Sequence, residues 1–295
     1  MKVIVTIPAY NEERTIGRVI REIKTVMGRE KYNYSILVVD DGSRDKTGEI
    51  AKKEGAIVFS HPQNLGLAET FRTEMDKCIE LKADVIVHTD ADGQYLASDI
   101  PKLINKIKEG YDFVLGSRFK GKIESMPMIK RMGNIAFSKV ISNIVKIKIS
   151  DGQTGFRAFT KEVAAKFRIK STHTYTQEQI IHVVRNKFRI TEVPIFFAKR
   201  GGKTKSRLMK NPVDYALKAW INILRVYRDY EPLKFFGMLG GTFFLMGVLI
   251  GLWILLVLFR TGRVGGLPRV MLSVLLITMG IQIIVFGFLA EMIKK

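Results

Sequence analysis

The segment DADGQ at 90–94 places Asp90, Asp92 and Gln94 at alternate positions, so a local turn can direct these three side chains toward one point. It follows the apolar run 85–87, which predicts a buried strand. Carboxylate and amide oxygens suit Mg²⁺ or Mn²⁺, and Mg²⁺ usually shares its coordination shell with substrate phosphates. We therefore predict a divalent-metal site that binds a diphosphate; an acidic surface turn is the alternative.

Polar residues also follow two other predicted strands. They are Pro8, Tyr10 and Glu12 after the first strand, and Asp40 and Asp41 after the second. Because ligands bind at the carboxyl ends of strands in open α/β sheets, we expect these residues near the metal site. Asp41 can accept hydrogen bonds from a nucleobase or ribose; alternatively, Asp40 or Asp41 is the turn residue of the Asp-Gly turn. The chain has no GxGxxG and no GxxxxGK[ST] motif, so dinucleotide-binding and P-loop folds lack support.

The elements that must position these residues alternate along the first 115 residues. Strands are predicted near 3–7, 36–39, 56–59, 85–87 and 113–115, with helices between them. Continuous apolar strands separated by helices predict an α/β domain with a mostly parallel sheet covered on both faces. Asn11 is predicted to cap the first helix, with Glu12 and Glu13 in its first turn.

The formal net charge of the 295 residues is +20, and five basic residues and one acidic residue after position 234 leave +16 on the preceding part. Such an excess suits polyanions, whether nucleic acid, an anionic bilayer or phosphorylated substrates. No aromatic-rich RNA-binding motif or helix-turn-helix signature accompanies the charge, so we predict no nucleic-acid partner. The single cysteine excludes an intrachain disulfide.

Two apolar runs without charged residues lie near the C-terminus, at 235–259 and 270–290. Each is long enough to cross the hydrocarbon core, so we predict a transmembrane hairpin with spans at 235–259 and 270–292; two buried core helices are the alternative. Glycines on the first span allow close helix packing, which would let homo-oligomers form through the hairpin.

The surroundings of the hairpin predict how the chain is organised at the bilayer. Lys and Arg flank the hairpin on both sides, which favours both termini on the cytoplasmic side, and the chain opens on a strand-like segment rather than a signal peptide. We expect an integral membrane protein, in the cell membrane of a prokaryote, with a cytoplasmic catalytic domain at 1–210 and a hairpin at 235–295. Residues 211–234 are predicted to form an interfacial amphipathic helix and linker, and 126–149 is a second basic amphipathic segment suited to the headgroup layer.

The ordered motifs PAYNEE, VVDDGSRDKT, DADGQ and GSR resemble the GT-A domain of family 2 glycosyltransferases. Downstream, QTGFRAF, EVPI and KRGGKTKS, together with the C-terminal hairpin, resemble the polyprenyl-phosphate hexosyltransferases, which include dolichyl-phosphate mannose and glucose synthases. The resemblance implies a Rossmann-like GT-A fold with Mg²⁺ or Mn²⁺ as cofactor. It also implies inverting transfer of one hexose from a nucleotide diphosphate sugar, of the GDP-mannose or UDP-glucose type, to a polyprenyl or dolichyl phosphate at the cytosolic membrane face.

The resemblance further assigns individual residues. The donor nucleotide positions are Pro8, Tyr10, Glu12, Val39 and Asp41, with Ala91 at the donor and Asp90, Asp92 and Gln94 at the metal. Arg118 matches a position near the phosphates, and Arg200, Lys203 and Ser206 match a basic loop before the membrane helices. Glu178 matches an acidic position near the acceptor site; an ordinary glutamate on a helix surface is the alternative. The charged turn 44–46 departs from many family members and leaves the identity of the base open.

The predicted reaction needs no strong general base. A phosphate monoester is already largely dianionic at pH 7, because its second pKa is about 6. A metal at Asp90 and Asp92, together with Arg200 and Lys203, can stabilise the charge on a departing diphosphate. Two rival functions are a membrane-tethered nucleotide-sugar-binding module without catalysis and a processive polysaccharide synthase. The second would need more spans and usually a QxxRW motif, which the chain lacks.

Overall fold

This computed structural model describes residues 1–167, 175–199, 212–264 and 266–293, with the backbone alone for 212–219 and 222. The chain forms two compact units, Met1–Tyr215 and Ala216–Lys295. Arg200, Lys203 and Ser206, three of the predicted site residues, lie outside the described residues.

The first unit alternates strands and helices. Its strands are β1 (Lys2–Ala9), β2 (Asn33–Asp40), β3 (Ile57–Ser60), β4 (Val85–His88), β5 (Phe113–Ile123), β6 (Arg157–Thr160) and β7 (Ile190–Phe197). Its helices are α1 (Ile16–Arg29), α2 (Thr47–Lys53), α3 (Leu67–Glu80), α4 (Ile100–Lys108), α5 (Met128–Val145), α6 (Lys161–Lys166) and α7 (Thr176–Arg185), with a 3₁₀ turn at Ala97–Asp99. Three more helices follow: α8 (Pro212–Tyr230), α9 (Pro232–Thr261) and α10 (Leu267–Ile293).

The seven strands form one sheet in the order β3-β2-β1-β4-β6-β5-β7, and only β6 runs antiparallel to its neighbours. The predicted mostly parallel α/β sheet is therefore confirmed. The register pairs Ala9 with Asp40 and Thr6 with His88. The carboxyl ends of β1, β2 and β4 consequently meet at one edge, where the predicted polar residues follow them.

The predicted start of the first helix is wrong. Helix α1 begins at Ile16, and Asn11 has a φ of 53°, in the left-handed region. The Asn11 side-chain oxygen accepts a hydrogen bond from the backbone N–H of Arg44 at 2.8 Å, so it serves a neighbouring loop rather than a helix end. The apolar face of α1, at 16–27, is buried against the sheet as its spacing predicts.

Helices α9 and α10 are the two candidate membrane spans, with mean hydropathy of 2.7 and 2.4 in their most apolar stretches. They pack on each other through small residues. A Cβ on Gly240 would lie 2.6 Å from the carbonyl oxygen of Gly280, and the Ser273 hydroxyl donates a hydrogen bond to the Gly247 carbonyl at 2.7 Å. Glycine at these positions lets the two backbones approach closely.

We expect Gly280→Ala to destabilise the hairpin relative to Gly237→Ala. A Cβ on Gly280 would lie 2.6 Å from the backbone nitrogen of Phe244, whereas a Cβ on Gly237 meets nothing within 4 Å. Both changes raise helix propensity alike, so the difference reports the backbone clash, of roughly 1–3 kcal/mol. Thermal unfolding of the detergent-solubilised protein, followed by circular dichroism, measures it. Equal melting temperatures for the two variants would contradict the close packing.

Candidate active site

The loops after β1 and β2 are joined by side chain–backbone hydrogen bonds. The backbone N–H of Asn11 donates to the Ser43 hydroxyl, and that of Glu12 donates to the Thr47 hydroxyl, both at 2.8 Å. These bonds hold the loop with Tyr10 and Glu12 beside the loop that follows Asp41. The predicted nucleotide-binding residues of the two strands therefore share one edge of the sheet.

Asp90 and Asp92 lie directly after β4 at the same edge. Asp92 Oδ1 accepts the backbone N–H of Gln94 at 3.0 Å, and Asp90 makes no hydrogen bond or ion pair with the described residues. The Gln94 side chain donates its Nε2–H to the Ala198 carbonyl at 3.1 Å. Its Oε1 is therefore the atom that could coordinate a metal. No group of three or more His, Cys, Asp or Glu side chains able to hold a metal occurs in the described ranges. A cation here would take its remaining ligands from phosphates and water, as Mg²⁺ commonly does.

Burial, followed by the charge of Asp92, raises the pKa of Asp90 to about 6. His88 and Arg118 lower that pKa in part, but they do not cancel the two larger effects. A buried carboxylate whose pKa is raised beside a second carboxylate favours a cation next to it. The oxygen donors therefore fit a hard divalent ion.

Arg118 on β5 is buried and held by one acidic partner. Its Nε and Nη2 donate to the two carboxylate oxygens of Asp151 at 2.7 and 2.8 Å, and its backbone N–H donates to the same carboxylate at 3.0 Å. The guanidinium also lies over the Phe197 ring, 5.2 Å from its centroid. A bidentate pair of this kind fixes orientation, and Asp151 offsets most of the charge that Arg118 brings to the site.

The loop at 150–155 brings Asp151 to Arg118 and closes one side of the metal pair. Glu192 on β7 accepts the backbone N–H groups of Ser150 and Asp151 at 2.8 and 3.2 Å. The backbone N–H of Gly155 donates to the buried Tyr95 hydroxyl at 3.0 Å. A Cβ on Gly155 would lie 3.0 Å from Asp90 Oδ1, so a larger residue where this loop touches the carboxylate would require Asp90 to shift.

Asp40 and Asp41 have different roles. Asp40 Oδ1 accepts the backbone N–H of Ser43 at 3.2 Å, which makes Asp40 the turn residue. Asp41 is buried, and its carboxylate accepts the backbone N–H groups of Leu65 and Gly66, both at 2.9 Å. A third contact comes from His61, whose Nδ1 lies 2.8 Å from Asp41 Oδ1. Asp41 thus holds the loop at 61–66 against the end of β2.

A buried polar cluster lies beneath the metal pair. His88 Nδ1 is 3.1 Å from both Thr6 Oγ1 and Glu74 Oε2, and His88 Nε2 is 2.6 Å from the Tyr175 hydroxyl. The Tyr175 ring stacks on Phe71 with centroids 4.2 Å apart. Burial raises the pKa of Glu74 and of Tyr175. These contacts attach the residue before α7 to the strand that carries Asp90.

The first turn of α7 is also held by Arg157, which is fully buried at the start of β6. Its guanidinium donates to the carbonyl of Thr176 and to Gln179 Oε1, at 2.8 and 2.6 Å, and to the carbonyls of Gly152 and Thr154. Burial lowers the pKa of Arg157 to about 10, so the side chain remains charged at neutral pH. Glu178 lies half-buried in this turn.

Comparison with known proteins identifies the family. The model of Glycosyl transferase family 2 matches residues 4–168, which is more than half of the chain. The chain belongs to this family. It is a glycosyltransferase, as the ordered motifs predicted, and its catalytic unit contains both acidic strand ends described above.

Relatives and structural neighbours agree with this assignment. A dolichyl-phosphate hexose transferase from Haloferax volcanii is 35% identical over 204 residues, which cover 68% of this chain and 85% of that protein. A UDP-N-acetylglucosamine–dolichyl-phosphate N-acetylglucosaminyltransferase from Methanococcus voltae is 34% identical over 214 residues, covering 64% and 82%. Glucosyl-3-phosphoglycerate synthase from Mycobacterium tuberculosis, solved with Mn²⁺, UDP and phosphoglyceric acid, has a TM-score of 0.57 at 18% identity over 75% of this chain and 78% of that one. This likeness confirms the GT-A type of fold.

The remaining predicted donor residues of the glycosyltransferase differ in accessibility. Pro8 and Tyr10 are half-buried, whereas Ala91 is buried and the Val39 side chain lies wholly inside the sheet. Val39 can therefore contact a ligand only through its backbone atoms. The structure brings Asp90, Asp92, Arg118 and Gln94 together around the end of β4, and the assigned roles of all these residues stay predictions.

Several residues that shape the site were missed in the sequence. They are His61, Glu74, His88, Asp151, Arg157, Tyr175 and Glu192. Arg157 lies in the motif QTGFRAF and Asp151 just before it, but Thr176, Gln179 and Arg118, which they contact, are distant in the chain. No local spacing predicts such pairs. The only signal in the sequence is a charged residue within a segment that otherwise has the apolar pattern of a buried strand.

The raised pKa of Asp90 predicts that Mn²⁺ affinity falls as the pH drops through about 6. Below that pH the ion must displace a proton, so affinity should fall by about tenfold per pH unit. Because the pKa is higher than the ordinary value near 4, ionising Asp90 opposes folding, and the metal-free protein should lose stability as pH rises from about 4 to about 6.

Free Mn²⁺ measured by electron paramagnetic resonance between pH 5 and 7.5, without nucleotide, tests the prediction. Leaving the nucleotide out avoids titration of its own phosphate near pH 6. An affinity that is constant across this range would show that Asp90 does not bind the ion.

Proposed function

We propose that the protein transfers a single hexose, with inversion, from a nucleotide diphosphate sugar to a polyprenyl or dolichyl phosphate at the cytosolic membrane face. The observation that carries the proposal is the Asp90–Asp92 pair at the end of β4, where burial and the charge of Asp92 raise the pKa of Asp90, in a chain that also has two candidate membrane spans. The names of the Haloferax and Methanococcus relatives, both dolichyl-phosphate transferases, support the acceptor class. The Mn²⁺ and UDP of the mycobacterial neighbour support a metal-bound nucleotide donor.

The chain's own residues would prepare the donor at the sheet edge. Asp90 and Asp92, with Gln94 through its Oε1, would hold Mg²⁺ or Mn²⁺, and such an ion stabilises negative charge on a departing diphosphate. Arg118, fixed by Asp151, would position the phosphates through its remaining N–H groups rather than supply a full positive charge. Arg200, Lys203 and Ser206 would contribute the basic loop, and Pro8, Tyr10, Glu12, Val39, Asp41 and Ala91 the nucleotide side.

The acceptor phosphate would attack without a strong base because it is already largely dianionic near neutral pH. Glu178, in the first turn of α7, is the acidic residue that we assign to the acceptor side. Arg157 holds the backbone of this helix turn through the Thr176 carbonyl and Gln179, which fixes the point from which the Glu178 side chain extends. Because Glu178 and the acceptor phosphate are both negatively charged, Glu178 would not attract the acceptor. Its role would be to orient the acceptor.

Helix α5 supports a membrane-facing role for the segment at 126–149. Its first turns leave large apolar side chains exposed, and Lys130 and Arg131 lie among them. The exposed apolar residues are Met128, Ile129, Met132 and Ile135. Apolar side chains beside basic ones suit the headgroup layer of an anionic bilayer, where the lipid phosphate also lies.

We further propose the arrangement around the bilayer that the sequence predicts. Residues 1–210 form the cytoplasmic catalytic domain, 211–234 an interfacial helix and linker, and 235–295 the transmembrane hairpin. Helix α8 falls within the interfacial segment. Gly237 and Gly241 have open space around them, so this face of the hairpin can pack against a second copy.

An assay of UDP- and GDP-hexoses with a short polyprenyl phosphate, with Mn²⁺ or with EDTA, tests the function. We expect one hexosyl-lipid product, formed only with the metal, whose anomeric configuration by NMR is opposite to that of the donor. A non-catalytic binding module would bind nucleotide and yield no product, and a processive synthase would yield polymer. Either result would overturn the proposal.

Asp92→Asn should lower transfer by at least about a hundredfold, because an amide cannot replace the carboxylate charge at the metal. The matched control is Asp76→Asn, the same change on the exposed surface of α3, and it should retain activity. Both variants should melt near the parent temperature. Near-normal turnover by Asp92→Asn would show that Asp92 is not a ligand of the metal.

A further inference from the structure

The position of Asp41 relative to the metal pair indicates where the donor's base would lie. Neighbouring strands are about 4.8 Å apart, so the end of β2 is roughly 10 Å from the end of β4, with β1 between them. In the other direction the edge is filled by the Arg118–Asp151 pair and by Gly155 against Asp90. A nucleoside whose diphosphate is at Asp90 therefore extends over β1 toward Asp41.

The loop at 61–66 is fixed at this end of β2. Gly42 has a φ of 69°, and a Cβ there would lie 2.4 Å from the backbone carbon of Gln63. The loop therefore packs directly on the Gly42 backbone, and it cannot shift without breaking the bonds to Asp41. Consequently the hydrogen bonds that this loop makes to the Asp41 carboxylate are present before any ligand arrives.

The acceptor capacity of Asp41 is almost exhausted. A carboxylate has about four lone-pair positions, two on each oxygen. Oδ1 is contacted by His61 Nδ1 at 2.8 Å and by the Leu65 N–H at 2.9 Å, and Oδ2 accepts the Gly66 N–H at 2.9 Å. His61 Nε2 lies 2.9 Å from the Thr73 hydroxyl, and His61 Nδ1 donates to the carboxylate because a carboxylate oxygen can only accept. With the contacts made by the described residues counted, one acceptor position remains, on Oδ2.

Nucleobases differ in how many adjacent donors they present to a carboxylate. Uracil has a single N–H, at N3, between two carbonyl groups, and thymine presents the same edge. Guanine has N1–H beside its amino group and needs both carboxylate oxygens to pair the two donors. Adenine and cytosine place a ring-nitrogen acceptor next to their amino group, and that acceptor would face the carboxylate oxygen.

We propose that the donor carries a pyrimidine with one N–H donor, uracil or its 5-methyl analogue thymine, because Asp41, with Oδ1 occupied by His61 and Leu65, has one acceptor position left among the contacts of the described residues. The inference rests on the proposed function and names the base of its donor. His61 is then a specificity-determining residue, acting through Asp41. A guanine would leave an amino group unpaired in a desolvated site, which weakens binding by about tenfold or more.

The test compares UDP and GDP binding to the full-length protein in detergent, with Mn²⁺, by isothermal titration calorimetry. We expect UDP to bind at least about tenfold more tightly than GDP. Equal affinity, or tighter binding of GDP, would overturn the inference while leaving the proposed transferase in place. If neither nucleotide binds, the proposed function and this inference both fail.

A pair of variants tests the role of His61. His61→Phe keeps a ring near Phe59, whose centroid is 6.0 Å away, and removes the hydrogen-bond donor to Asp41 Oδ1. The ratio of the GDP to the UDP dissociation constant should therefore fall toward one. Thr73→Val removes the hydroxyl behind His61 but leaves the Nδ1–H, and the preference should stay as in the parent. Equal weakening of both nucleotides by His61→Phe would show a merely structural role and would overturn the assignment of His61.

Transfer assays separate this inference from the function on which it rests. Preferential UDP binding without product from any UDP-hexose would refute the transferase and leave the base preference standing. Product from a GDP-hexose, with GDP bound more tightly, would refute the base preference alone. Should His61→Phe fail to fold, the ratio measured for the parent protein still decides the base.

Discussion

The burial of one carboxylate beside another at the end of β4 is the constraint on which the candidate site depends. Desolvation, followed by the charge of Asp92, raises the pKa of Asp90 to about 6. The guanidinium of Arg118, which lowers that pKa in part, is itself paired with both carboxylate oxygens of Asp151. In the proposed function, this costly arrangement would become favourable once a divalent ion and a diphosphate joined it, and donor binding would then stabilise the site locally.

The surrounding loops are held by buried polar groups rather than by apolar packing alone. Glu192 and Arg157 fix the loop at 150–155 from two sides, and Asp41 fixes the loop at 61–66. Each buried charge satisfies several backbone groups that would otherwise be costly to leave unpaired. The result is a sheet edge whose loops are ordered without substrate, so binding energy need not be spent on ordering them.

Much of this glycosyltransferase could be predicted from sequence because its signals are local. The apolar runs, the helical spacing of α1 and the two hydrophobic spans each lie within one short segment, and all of them recur in the structure. The predicted cap at Asn11 failed because the loop after β2 offers Arg44 N–H as a competing donor. Arg118 was predicted near the phosphates, but the bidentate pair with Asp151, 33 residues away, could not be inferred from spacing.

By itself, the sequence determined the α/β class, the acidic strand ends, the hairpin and the family, since motif order and hydrophobic periodicity are properties of the chain. Only the tertiary structure decided which hydrogen-bond acceptors are still free. Asp40 is a turn residue, whereas Asp41 anchors the loop at 61–66. This distinction depends on His61, Leu65 and Gly66, which lie 20 to 25 residues after Asp41 in the chain. Such contacts are set by how the sheet brings distant loops together, and a carboxylate's remaining capacity can be counted only once its partners are in place.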